Sequence, residues 1–501
     1  MMAKVKFLPR FIYDHFYKLL FLVAFAYMVF LAMSYSLCWQ DFDVPHKFHP
    51  MALRNGPELR WEDFTRIFNA SREGYKIGPP TRLRYFQDLV SLIDIKFRIW
   101  LFNYIPPHPS ISLMWLFVMF LSPMMMFKLA RQLTQRQSTA WIATILFMLS
   151  TGNLFGINKM ANPAKPLANF FGLWVFYLGA VIERRIRNDS CFSPRSRRLF
   201  VIMLLILLIA FFTDETTWMF YFMIPVLFPA IFFTRRTRKF SIGGYLALIV
   251  AAGLLVFVIF PYLLNRYTPG KIIVDYIYDH TQGEDAGPLV PDFFGLRYVI
   301  LTVRNLLWTQ LVPWGWFWRG IILLSLLFGY LVFQFRNLTS LRRRVVLRFL
   351  GIFIIFVSLQ SFAIAKVYWN HGYVLKYSLY YGALLAIILP IPLAVLLSRN
   401  PDRFRGAINK ILLLVLLVVM VYNFTRVNED IRFLQALWEN AGEMDYATSR
   451  AIWKARKNPE AIRRYKYQYP IWSAWAYIQE IEIIAEQQAA KSRAELDSRR
   501  E

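Results

Sequence analysis

The feature that most constrains this chain is a succession of apolar segments separated by short loops, every second one of which is crowded with Lys and Arg. A membrane-spanning helix needs about 20 mostly apolar residues, or as few as about 17. Segments of this kind lie near 17–38, 111–130, 138–157, 165–183, 199–213, 217–234, 242–264, 319–335, 347–365, 374–397 and 411–427. Backbone in hydrocarbon must satisfy its own hydrogen bonds, so isolated apolar segments of this length are helices. The expected fold class is therefore an all-α polytopic membrane protein with about 11 transmembrane helices. The composition agrees, because 57% hydrophobic and 18% aromatic residues are too many for several ordinary soluble domains.

The formal net charge of +27 would suggest nucleic acid in a soluble protein. Here the cations sit in "KLARQLTQR", "ERRIRNDSCFSPRSRR", "RRTRK", "FRNLTSLRRRVVLR" and "RNPDRFRGAINK", which follow the second, fourth, sixth, eighth and tenth segments. That alternation is the positive-inside pattern of a membrane protein, and no nucleic-acid partner is expected. With Lys4, Lys6 and Arg10 on the same side, the N-terminus is cytoplasmic and every odd segment exits on the far face. The N-terminal flank is basic like that of a signal peptide, but its apolar stretch is long and lacks a small-residue cleavage site, so it reads as a retained first helix.

This topology divides the chain into a transmembrane module over 1–264 with a first outer loop at 39–110, a second outer loop at 265–318, C-terminal transmembrane helices over 319–427, and a polar helical tail at 428–501. The tail is extracytoplasmic if the count is odd. "GLRYVILTVRNLLWTQLVPWGWFW" is the one place where a twelfth span would fit; Arg297 and Arg304, each costing about 2.5–3.5 kcal/mol at a helix centre, favour an interfacial helix. In the first outer loop, Phe86, Leu89, Val90, Ile93, Phe97, Trp100 and Leu101 recur at helical spacing, with Arg84, Asp88, Lys96 and Arg98 largely elsewhere. This pattern predicts an amphipathic helix in the membrane interface, stopped by "PPHP".

Directly after the first span comes "SYSLCWQDFDVPHKFHP", which brings Asp41, Asp43, His46 and His49 together. Pro45 biases Val44 toward extended backbone, which would project both aspartates to one side. The plainer reading is a pair of carboxylates solvating a helix end. His46 and His49, three apart in a Pro-flanked loop, share no enforced face, and surface or acceptor-contacting histidines are expected in place of a transition-metal site. Cys38 and Cys191 fall on opposite sides of the membrane, which argues against a disulfide or a Cys-built metal centre.

In plan the chain resembles the GT-C superfamily of polytopic membrane glycosyltransferases, with a cytoplasmic N-terminus, an acidic pair, "WQDFD", at the start of the first outer loop, and interfacial helices within it. The resemblance implies an enzyme that moves a sugar from a polyprenyl-phosphate carrier to a glycan, lipid or protein acceptor on the outer face of the cytoplasmic membrane. It implies a carboxylate base that takes the acceptor's proton, assigned to Asp41 with Asp43 in support, the two roles being exchangeable. In metal-using members the pair would hold Mg or Mn.

A second acidic pair, Asp214 and Glu215 in "AFFTDETTWMFY", sits at the turn between the fifth and sixth spans, where carboxylates at membrane depth are a functional-site hypothesis. Similar GT-C turns commonly carry Lys before the Glu, and here Asp214 stands in its place. A polar turn capping the sixth span through Thr213 or Asp214 explains the same residues. Cations for a carrier phosphate are offered by Lys159 and Lys165 in "GINKMANPAKPLANF" and by Lys366, His371 and Lys376 in "IAKVYWNHGYVLKYSLYYG". Lys376 is the stronger of these if buried, because a buried Lys needs an anion; otherwise it snorkels to the interface. Competing readings are a non-catalytic GT-C-like subunit whose 428–501 tail docks a protein partner, and a transporter, against which no pair of interrupted helices is evident.

Overall fold

The computed structural model describes residues 2–33, 85–102, 113–158, 164–189, 192–234, 237–255, 318–367, 383–398 and 403–439, with isolated positions at 60, at 104, within 304–313 and within 451–494. Among these residues there is helix and turn and no strand. The principal helices are α1 (Met2–Met33), α2 (Tyr85–Phe102), a π-helical turn (Leu116–Leu121) running into α3 (Ser122–Thr134), α4 (Gln137–Leu149), α5 (Thr151–Asn158), α6 (Ala164–Asp189) and α7 (Pro194–Phe211). A short 3-10 helix (Glu215–Trp218) leads into α8 (Met219–Leu227), followed by α9 (Pro229–Phe233), α10 (Arg238–Leu254), α11 (Trp318–Arg336), α12 (Ser340–Val367), α13 (Leu385–Ile388), α14 (Pro390–Leu397) and α15 (Arg403–Glu439).

Every apolar window of the sequence contains helix, and among the described residues four helices are long and apolar enough to cross a membrane: Leu116–Thr134, Lys165–Asn188, Trp318–Arg336 and Gly406–Val427. Shorter apolar helices cover His15–Leu31, Gln137–Leu149 and Leu385–Leu397.

Local chemistry accounts for several boundaries. Ser193 caps α7, its hydroxyl accepting from the Ser196 N–H at 3.3 Å, and Pro194 fills the first helical position where no N–H is needed. The α8 helix stops at Phe228 because Pro229 cannot donate, and α9 restarts on that proline. Between α4 and α5 the backbone becomes extended at Ser150. Ser150 donates its hydroxyl to Phe147 O (2.7 Å) and Asn153 donates its amide to Met148 O (3.1 Å), so the carbonyls released by the break are satisfied.

Helix α6 is the centre of the bundle: 83% of its apolar window is buried, against 11% for that of α11, which presents its apolar side chains outward. Close approach to α6 depends on two small residues. A Cβ on Gly172 would lie 2.5 Å from the Phe220 ring, and one on Gly179 would lie 2.4 Å from the Phe228 ring. Around α6 packs an aromatic core that includes Phe147, Phe176, Phe200, Phe211, Phe220, Phe228, Phe349 and Phe356, all fully buried. At the far end of α6, Arg348 of α12 donates to both Glu183 carboxylate oxygens (2.8 and 3.1 Å) and to Leu227 O (2.9 Å), while Arg187 donates to Glu183 at 2.8 Å. This cluster joins α6, α8 and α12.

Candidate functional site

At the opposite end of α6, in its first turn, Lys165 Nζ donates to Asp214 Oδ1 at 2.7 Å. Both side chains are buried, at 3% and 0% exposure. Ions this deep are tolerated only when paired, because desolvating either alone is costly. The pair joins two of the segments singled out in the sequence, "NPAKP" and "TDE", across the bundle.

The turn holding Asp214 is tightly bonded. Thr213 donates its hydroxyl back to Ile209 O (3.0 Å), and Thr217 donates to Ala210 O (2.6 Å) and to Asp214 O (2.7 Å). Asp214 therefore faces Lys165 as a fixed carboxylate. Glu215 opens the 3-10 helix that follows.

Helix α2 packs against this turn. Phe86 N donates to Phe212 O at 2.8 Å, and the Phe86 ring meets Phe171 of α6 edge-on at 5.6 Å. Eight residues later Asp94 accepts the Leu113 N–H at 2.6 Å, which fastens α2 to the chain entering the π-helical turn. A helix is thus present where the amphipathic one is expected, and its polar stripe runs inward. Gln87, Ser91, Asp94 and Arg98, spaced for one helical face, are all buried, and Arg98 lies 3.6 Å from Asp94. Lys96 is also buried, while Ile93 and Trp100 are exposed at 38% and 49%. Leu92 is buried and Phe86 and Val90 pack against the core, so the apolar residues divide between protein and exterior, while the polar stripe turns to protein, where its hydrogen bonds can be met.

The elements around the first half of α6 hold further buried polar atoms. Among the described residues, Ser91 Oγ of α2, Trp115 Nε1 before the π-helical turn, Ser122 Oγ at the start of α3 and Asn169 Oδ1 of α6 are buried with no protein hydrogen-bond partner. Asn169 lies one turn beyond Lys165. The π-helical turn packs on the same stretch, with Phe117 against Phe170 at 5.1 Å. Buried groups of this kind are where water or the polar atoms of a ligand are expected, and π-helical turns recur at such places. The stripe at 87, 91, 94 and 98 was readable as an i, i+4, i+7, i+11 pattern; Ser122 and Asn169 carry no sequence signal.

Asp41, Asp43, His46, His49, Lys159, His371 and Lys376 lie outside the described residues, and Lys366 falls in the last turn of α12. Among the described residues, no three His, Cys, Asp or Glu side chains are placed to hold a metal ion. Compared with known proteins, the chain matches no family model and no curated relative.

Proposed function

We propose that the chain is an integral membrane glycosyltransferase that moves a sugar from a polyprenyl-phosphate carrier to an acceptor on the outer face of the cytoplasmic membrane. In this reading it has eleven spans, a cytoplasmic N-terminus and an extracytoplasmic tail. The observation that carries the proposal is α2: a helix in the first outer loop, docked on the Asp214 turn, with its polar stripe inward and Ile93 and Trp100 outward. Such a helix brings buried polar groups to the edge of the bundle beside the Asp214 turn, where the head of a lipid-borne substrate would be met. In the transfer, the acceptor oxygen attacks the anomeric carbon, the bond from that carbon to the carrier phosphate breaks, and the carrier phosphate leaves. Asp41 takes the acceptor proton, Asp43 supports it or shares a divalent cation, and Glu215, His371 and Lys376 contact the donor.

The test is reconstitution in proteoliposomes with a polyprenyl-phosphate-linked sugar, following release of the free polyprenyl phosphate. Wild type should release it and Asp41→Asn should not, at equal membrane insertion. Undiminished release by Asp41→Asn overturns the assignment.

The alternative is a non-catalytic subunit that scaffolds a partner through its outer loops and tail. The Lys165–Asp214 pair favours it, since Asp214 already neutralises the cation nearest this turn. Co-purification of a stoichiometric partner that is lost on deleting residues 428–501, with no carrier turnover, would decide for it.

A further inference from the structure

A cleft of about 600 Å³ opens between the end of α9 and the first turns of α10, lined by Phe233, Arg238, Lys239, Ile242, Gly243 and Leu246. None of the six is acidic. Its mouth carries two cations, and its wall continues as apolar side chains that face outward: Phe233, Ile242 and Leu246 are 71%, 42% and 59% exposed.

The hairpin that shapes the cleft is held by its own hydrogen bonds. Thr237 donates its hydroxyl to Ala230 O (3.2 Å) and Thr234 O (3.1 Å), and Ser241 donates to Ile231 O (2.9 Å). Both cations are therefore presented from a fixed turn. Lys239, Gly243 and Leu246 share one helical face, and Arg238, Ile242 and Leu246 its flank, so the apolar wall runs about 10 Å from the charges along α10. Gly243 leaves that wall open; a Cβ there would meet nothing within 4 Å.

We propose that this cleft binds one anionic phospholipid, its phosphate between Arg238 and Lys239 and an acyl chain along Ile242, Gly243 and Leu246. A free anion would use the cations and leave the wall unexplained; a neutral lipid would use the wall and leave the cations unmatched. The occupant that satisfies both is an anionic amphiphile drawn from the leaflet on the basic-loop side. The site is separated from the turn bearing Asp214 by α8 and α9, and stands or falls independently of sugar transfer.

The experiment uses the full chain in detergent, titrated with phosphatidylglycerol or phosphatidylcholine and read by native mass spectrometry and thermal unfolding. Phosphatidylglycerol should be retained as a single adduct and raise the melting temperature, and phosphatidylcholine should do neither. Arg238→Gln with Lys239→Gln should weaken retention about 30-fold, from two cations near the surface. Gly243→Leu keeps both charges, and its Cβ meets nothing within 4 Å, so it should lose retention by filling the cleft while leaving the lipid-free melting temperature unchanged or raised by the loss of a mid-helix glycine. Equal retention of both lipids, protection by inorganic phosphate alone, or undiminished retention in either variant overturns the proposal.

Discussion

The Lys165–Asp214 pair sets up a decisive perturbation. The two groups meet at 2.7 Å with 3% and 0% side-chain exposure, so replacing one leaves the other charged in an interior that water does not reach. Lys165→Met should cost about 3–5 kcal/mol, the range for an orphaned buried ion, and Asp214→Leu a similar amount. The double replacement removes both charges and keeps the volume roughly matched, so it should return to within about 1–2 kcal/mol of wild type. The singles and the double are then strongly non-additive, with a coupling of several kcal/mol. Thermal unfolding of the four proteins in one detergent, with size-exclusion profiles to monitor folding, measures the cycle. Single variants that each stay within about 0.5 kcal/mol of wild type, or that sum to the double, would refute the claim that this is a dry, mutually dependent pair. The double variant also separates scaffold from chemistry: folded but inactive in sugar transfer, it would place the pair in the working site.

Two further outcomes follow from packing. Arg348→Ala removes the donor shared by Glu183 and Leu227 O and should lower stability by about 1–3 kcal/mol, at the lower end because Arg348 is 21% exposed; unchanged unfolding would show that the α6–α8–α12 junction does not depend on it. A Cβ on Gly152 would lie 2.7 Å from the backbone of Ala383, whereas one on Gly253 would meet nothing within 4 Å. Gly152→Val should therefore destabilise by about 1–3 kcal/mol and Gly253→Ala should be neutral or stabilising by up to about 1 kcal/mol; equal melting temperatures for the two would contradict the packing of α5 on the turn before α13.

The stretch from Tyr85 to Phe102 shows how far sequence reasoning reaches. Its periodicity identifies a helix and separates its faces, and both appear. Which residues are buried is a different question, because the stripe at Gln87, Ser91, Asp94 and Arg98 turns to protein while Ile93 and Trp100 face out. The Ser150 interruption was illegible for another reason. The break residue is neither Pro nor Gly, and its carbonyls are satisfied by Ser150 and Asn153, ordinary polar residues in an apolar run. Phe228 differs, since Pro229 directly after it is a readable stop.

What the chain determines by itself is helix, membrane and charge asymmetry. Long apolar runs leave the backbone no other partner than itself, and Lys and Arg cluster in every second loop between those runs. What only the tertiary structure decided is which polar residues meet. Lys165 and Asp214 are 49 positions apart, each as readable as a solvated turn residue as a site residue. Their union depends on how α6 seats against the α7–α8 turn, and that seating is set by the shapes around Gly172, Phe220 and Phe171, a long-range fit that no local pattern encodes.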